Sequence, residues 1–192
     1  MRLLSGYALA VTSVFVLPVA AQTGSAEYYA KSLAPYVTSP QTVVDRMLQV
    51  AAVRPGEMVY DLGCGDGRVL ITAVQHFRAK AVGVELNAEI ARKASQRIAK
   101  LGLQTQARVV VGDMRDIDIA PADVVTLYLM TDSNAILRPK LEKSLKPGAR
   151  VVSHDFRVPG WKADKVDLQD PFGEGHKHTI YLYVMPPQAS SN

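Results

Sequence analysis

A single cysteine, Cys64, stands in the whole chain, which excludes an intrachain disulfide framework and a cysteine-rich zinc site. Four histidines leave little material for a histidine-based site, and no metal is predicted. A basic tract is also missing. The 22 Lys and Arg against 18 Asp and Glu give a formal charge of +4 spread along the sequence, so no nucleic-acid partner is expected. The pairing of low hydrophobicity with high net charge that marks disordered chains is absent, at 48% hydrophobic and 21% charged residues. A length of 192 residues supplies one ordinary core and excludes a multidomain enzyme.

Long uncharged apolar runs are confined to the amino terminus. Residues 3–21 carry no charge, follow Met1-Arg2, contain Pro18 near their end and finish on the small residues Val19-Ala20-Ala21. That is the architecture of a signal peptide cut between Ala21 and Gln22. The competing reading is an uncleaved membrane anchor, because the run approaches the ~20 residues that span a bilayer. Arg2 and the amino terminus, against Lys31 alone in the nearest downstream stretch, place the remaining chain outside the cytoplasm, exported to the periplasm or anchored.

Beyond a small, polar linker over 22–34, apolar residues Val43, Val44, Met47, Leu48 and Ala51 recur at helical spacing, with Ser39 as N-cap and Pro40 as first helical residue. Beta-type runs follow at Met58–Asp61, Ala81–Glu85, Ala107–Val111, Asp123–Leu129 and Ala149–Ser153. Helical patterns separate them at Gly67–Phe77, Ala88–Leu101 (capped by Asn87) and Ser133–Leu145. This alternation predicts parallel βαβ units in an open, doubly wound α/β sheet. A last run, Thr179–Met185, is rich in β-branched and aromatic residues and predicts an added antiparallel strand.

The segment Asp61-Leu62-Gly63-Cys64-Gly65-Asp66-Gly67-Arg68 falls where the first strand turns into a helix, the place where doubly wound sheets bind ligands. Its Gly-x-Gly-x-Gly spacing misses the Gly-x-Gly-x-x-Gly dinucleotide fingerprint, which disfavours a nicotinamide-linked dehydrogenase, and the Walker lysine is absent. Carboxylates at Asp61 and Asp66 would crowd a pyrophosphate but suit a ligand bearing ammonium and sulfonium charges. Glu85 ends the second strand, where a carboxylate accepts from both hydroxyls of a ribose. Asp113 ends the third, placed to accept from an exocyclic adenine amine, with Met114 against the base. Each acid alone reads as a turn or helix cap; three on successive strand ends around one glycine loop read as a site.

This constellation resembles the class I S-adenosylmethionine-dependent methyltransferases over residues 35–186. More narrowly, Pro35-Tyr36-Val37-Thr38-Ser39-Pro40, the glycine loop, Leu137-Arg138-Pro139-Lys140-Leu141 and Ala149–Phe156 with Trp161 resemble a small bacterial group. That group is similar to the mitochondrial lysine methyltransferases acting on the ATP synthase c subunit and the adenine nucleotide translocase. The resemblance implies a Rossmann-like methyltransferase fold, a seven-stranded mostly parallel sheet with an antiparallel last strand, over 35–186. Residues 1–21 are then leader or anchor, and 187–192 a flexible tail. It implies S-adenosylmethionine as methyl donor, with contacts from Asp61, Gly63, Gly65, Asp66, Gly67, Glu85, Asp113 and Met114. The acceptor is a protein lysine or, alternatively, a small molecule. Membrane association would run through residues 3–21.

Methyl transfer to an amine needs positioning and a neutral nucleophile rather than a nucleophile on the protein. Acceptor-side candidates are Tyr128, Thr131 and Asp132 after strand four, with Tyr36 and Thr38 closing from the amino-terminal side. The segment Thr126-Leu127-Tyr128-Leu129-Met130-Thr131 lacks the Asn/Asp-Pro-Pro-Tyr pattern of adenine and glutamine methylases, and Met130-Thr131 replaces the Leu-Pro usual in the subgroup. S-adenosylmethionine is a cytosolic metabolite, so export and donor supply pull in opposite directions. The different-class alternative is therefore an exported, non-catalytic ligand-binding module on this scaffold. Cys64 reads as a small packing residue. Glu174, His176 and His178 could bind a metal, but with no fourth ligand in view they read as a solvated loop, and Lys93, Arg97 and Lys100 as a solvated helix face. His154-Asp155 reads as touching substrate or as a hydrogen-bonded strand end, and Trp161 as a cleft wall or an edge cover.

Overall fold

The structure is a computed structural model and describes residues 32–33, 35–170 and 177–190. The leader over 1–21, nearly all of the 22–34 linker, Glu174 and His176 lie outside the described residues. Among the described residues no helix is long and apolar enough to cross a membrane.

Helix α1 (Gln41–Val50) leads into β1 (Met58–Leu62), α2 (Arg68–Phe77), β2 (Lys80–Glu85), α3 (Ala88–Lys100), β3 (Ala107–Val111), β4 (Val124–Leu127), α4 (Thr131–Ser144) and β5 (Arg150–His154). Four strands follow: β6 (Trp161–Lys162), β7 (Lys165–Gln169), β8 (His178–Val184) and β9 (Gln188–Ala189). Seven of the strands form one sheet in the order β3-β2-β1-β4-β5-β8-β7. The first five neighbours run parallel, and β8 lies antiparallel between β5 and β7.

Period-two alternation of the strands sorts residues between two cores. Val59, Ala81, Val124 and Val152 face one side with Val44, Leu48 and Leu70 of α1 and α2. Tyr60, Val82, Val125 and Val151 face the other with Leu137 and Leu141 of α4. With both faces covered, β4 is buried at every position, which is why it reads as an uninterrupted apolar run apart from Thr126.

Several boundaries differ from the sequence reading. Helix α1 starts at Gln41 with Pro40 in the capping position, because the Ser39 hydroxyl is 2.8 Å from Nδ1 of His154 instead of capping the helix. Asn87 does cap α3, accepting from the amides of Glu89 and Ile90 at 2.9 and 3.1 Å. Strand β7 escaped the sequence reading because its apolar residues Val166 and Leu168 point outward while Asp167 turns inward to an ion pair with Arg46 at 2.6 Å. Gln188–Ala189, assigned to the tail, pair with Trp161–Lys162. Trp161 covers the sheet rather than a cleft: it is buried, meets Tyr183 edge-on at 5.3 Å and donates to Glu142 at 2.7 Å.

Strand β2 approaches the glycine loop so closely that a methyl group on Gly83 would lie 2.5 Å from Sγ and 2.7 Å from Cβ of Cys64, and 2.7 Å from Leu70. Cys64 is thus the small packing residue expected, and burial pushes its thiol pKa up, keeping it protonated. Gly83→Ala should destabilise the protein by about 1–3 kcal/mol. Adding Cys64→Ala in the same chain should recover part of that loss, measured by urea denaturation.

Candidate functional site

The site lies at the carboxyl ends of β1, β2 and β4, where strand order turns back on itself and a crevice opens. Between β1 and α2 the chain passes through Gly63, Cys64, Gly65, Asp66 and Gly67. Gly65 sits at φ 51°, and a side chain there would meet the Tyr36 ring at 2.8 Å. The loop is tied to the end of β2. Amides of Gly63 and Cys64 donate to the Val84 carbonyl at 2.9 and 3.0 Å, and the Gly65 amide donates to Glu85 Oε2 at 3.1 Å. The other Glu85 oxygen accepts from the Asn87 amide at 2.8 Å. Two fixed N–H groups thus hold a carboxylate that is only 7% exposed, with its remaining lone pairs available.

Asp61 is equally buried, and its single side-chain hydrogen bond comes from the Thr126 hydroxyl at 2.7 Å. Burial, assisted by the neighbouring charges of Glu85 and Asp66 and opposed by Thr126, pushes its pKa up to about 7. Asp66 also lines the cleft, but its carboxylate is spent on Arg68 at 2.9 Å and Arg97 at 3.0 Å, which hold its pKa below the usual range against partial burial. It pins the loop to α2 and α3, and it takes Arg97 out of the solvated face expected for α3. Asp113 and Met114 reach the same cleft. Asp113 is ion-paired with Arg115 and accepts that residue's backbone amide at 2.9 Å. Met114 is buried against the loop, its methyl 3.5 Å from the position a Gly63 side chain would take.

Acceptor-side expectations separate. Tyr36, Thr38 and Tyr128 line the cleft. The Tyr128 ring stacks on His154 at 3.9 Å and tilts toward Phe156 at 6.4 Å, and burial together with Asp155 raises its phenol pKa. Burial, with Asp66, also raises that of Tyr36. Asp132 and Thr131 are placed otherwise. They occupy the exposed first turn of α4, where the Asp132 charge complements the helix N-terminus instead of facing the cleft. His154 is fully buried and hydrogen-bonded, the strand-end reading, and burial first of all pushes its pKa down to about 4.

Four participants escaped the sequence reading: Thr126, Arg115, Asn134 and Arg68 as a brace. Thr126 alone left a signal, a polar residue inside an otherwise apolar strand. The Asn134 amide donates to the carbonyls of Phe156 and Arg157, both at 3.1 Å, and so fixes the loop that carries Phe156. Arg68 donates to the Ser39 carbonyl at 2.6 Å, fastening the segment before α1 across the cleft.

The raised Asp61 pKa carries a sign. Its native pKa of about 7 exceeds the 3.8 of a free aspartate, so its contribution is fully present below about pH 4, is lost as pH rises to about 7, and stays lost above. Asp61→Asn should therefore gain melting temperature relative to the parent as pH rises across that window and hold the gain at pH 8. Thermal melts of the ligand-free protein across pH check this.

Residues 61–165 match the family described as the ANTKMT methyltransferase domain. A protein-lysine N-methyltransferase from Saccharolobus islandicus is 50% identical over 79% of this chain and 93% of its own length. The adenine nucleotide translocase lysine N-methyltransferase of Mus musculus is 30% identical over 89% of this chain and 77% of its own. Among solved structures, an RNA methyltransferase from Salinibacter ruber in complex with S-adenosylhomocysteine superposes with a TM-score of 0.73 at 38% identity, covering 81% of this chain and 98% of that one. With this match laid over the glycine loop and its strand-end carboxylates, the chain belongs to the ANTKMT methyltransferase domain family.

Proposed function

We propose that the protein transfers a methyl group from S-adenosylmethionine to a lysine side chain of a protein. The observation that carries this reading is 50% identity to a protein-lysine N-methyltransferase across nearly that protein's whole length, over a cleft whose acids suit a cationic nucleoside ligand. The fit rests on the donor set: buried carboxylates at Asp61 and Glu85 with unfilled acceptor capacity, and a loop in which Gly65, at positive φ, lies under the Tyr36 ring.

Bound in this cleft, S-adenosylmethionine supplies a methyl group already activated by its sulfonium charge. The protein's part is then orientation. Glu85, fixed by the amides of Gly65 and Asn87, offers its free lone pairs to ribose hydroxyls. Asp61, raised in pKa without a ligand, regains its charge when a positive group enters. Asp113, held by Arg115, and Met114 take the base side, while Gly63 and Gly67 shape the loop. On the acceptor side Tyr128 and Tyr36 keep their phenol protons, and their oxygens, by accepting from an N–H of the incoming amine, orient it with its lone pair left for the methyl carbon.

Calorimetry should show S-adenosylhomocysteine binding that Glu85→Ala weakens tenfold or more, about 1.4 kcal/mol. Methyl label offered to separated protein and RNA fractions should appear in protein lysine. Label in RNA overturns the acceptor, and binding without transfer turns the reading to a non-catalytic binding module. The proposal extends to place: from the leader-like residues 1–21 we place the domain outside the cytoplasm, and amino-terminal sequencing of the protein from its native cells should begin at Gln22.

A further inference from the structure

Beyond the methyltransferase cleft, three donor atoms converge behind Tyr128. Nε2 of His154 lies 2.9 Å from Nδ1 of His178 and 3.2 Å from Oδ2 of Asp155, and Nδ1 of His178 lies 3.1 Å from the same oxygen. At most two edges of this triangle are hydrogen bonds at any one time. A proton on one of the three atoms serves two contacts and leaves the third as lone pair facing lone pair; protons on both imidazole nitrogens can each go to Oδ2 of Asp155 but set two N–H groups side by side across 2.9 Å. A single cation at the usual Zn–N and Zn–O distances, about 2.0 to 2.2 Å, separates its donors by about 2.8 to 3.6 Å at octahedral to tetrahedral angles. The triangle has those edges.

The surroundings fix two of the three groups by their far sides. The other ring nitrogen of His154 is 2.8 Å from the Ser39 hydroxyl. The other Asp155 oxygen accepts from the Thr179 amide at 2.8 Å. Asp155 itself sits at φ 59°, in the left-handed region, and its amide donates to the Thr179 carbonyl at 2.7 Å, so the backbone is bent to return the carboxylate over β8. Partners of this kind, which orient ligands from behind, accompany metal-binding histidines and carboxylates.

From this geometry we infer that His154, Asp155 and His178 form a binding site for a divalent first-row transition cation, with zinc the best-matched ion for two imidazoles and one carboxylate. The ion replaces two hydrogen bonds and one repulsive contact with three coordination bonds and ties the end of β5 to the start of β8. It also fixes the imidazole on which Tyr128 stacks, and three protein ligands leave a position open to water. The inference is independent of the acceptor's identity.

The test uses the full chain without a histidine tag, stripped by chelator and titrated with Zn2+ by calorimetry and with Co2+ by visible absorption. One ion per chain is expected, with cobalt bands that zinc abolishes. His178→Gln and Asp155→Asn should each weaken binding at least about tenfold with the far-ultraviolet circular dichroism unchanged. In the unaltered protein, zinc should shift the imidazole nitrogen resonances of both His154 and His178, a readout that needs no variant. Absence of stoichiometric binding by the folded protein, affinity unchanged in both variants, or imidazole resonances that do not move would each overturn the inference.

Discussion

Two carboxylates buried at the ends of neighbouring strands are the constraint around which the rest of this protein is arranged. Removing a charge from water is costly unless other groups replace the lost hydrogen bonds. The chain meets that cost unevenly. Glu85 receives two backbone N–H groups, one from the glycine loop and one from the residue that caps α3, so the loop and the helix are positioned by the same side chain. Asp61 receives only the Thr126 hydroxyl. The difference leaves one acid settled and the other underserved, and an underserved buried carboxylate is a receptor for positive charge.

Arginines answer the remaining acids from outside. Arg68 and Arg97 take Asp66, and Arg115 takes Asp113, so negative charge at the cleft is retained only where backbone or hydroxyl donors stand in for water. This division of labour explains how one short loop can carry two aspartates and still fold. It also binds α2 and α3 to the loop, beside the close approach of Gly67 to Ala94 and Ile98 of α3.

What the sequence made legible was local. Alternating strands and helices from Met58 to Ser153, the glycine spacing, the acids at three strand ends and the Asn87 cap each depend on residues close together in the chain. Ser39 looked like a helix cap because its nearest neighbours made it one; its actual partner, His154, is more than a hundred residues away. His154 and His178 were assigned to separate segments, and only the antiparallel return of β8 beside β5 brings them face to face. Strand β7 hid because an edge strand with an inward aspartate inverts the usual pattern, and Asp132 was misplaced because the chain turns into α4 two residues earlier than its apolar spacing suggests.

Ser39 draws these threads together. Its carbonyl is held by Arg68 of the glycine-loop side, and its hydroxyl by His154 of the β5 side. A shortened polypeptide begun just past this residue would retain α1 and every strand of the large sheet. It would nevertheless have lost the buckle between its two halves, along with the Tyr36 ring that lies over Gly65. The two sides of the cleft are therefore joined from chain that precedes the first helix, by a serine and a tyrosine.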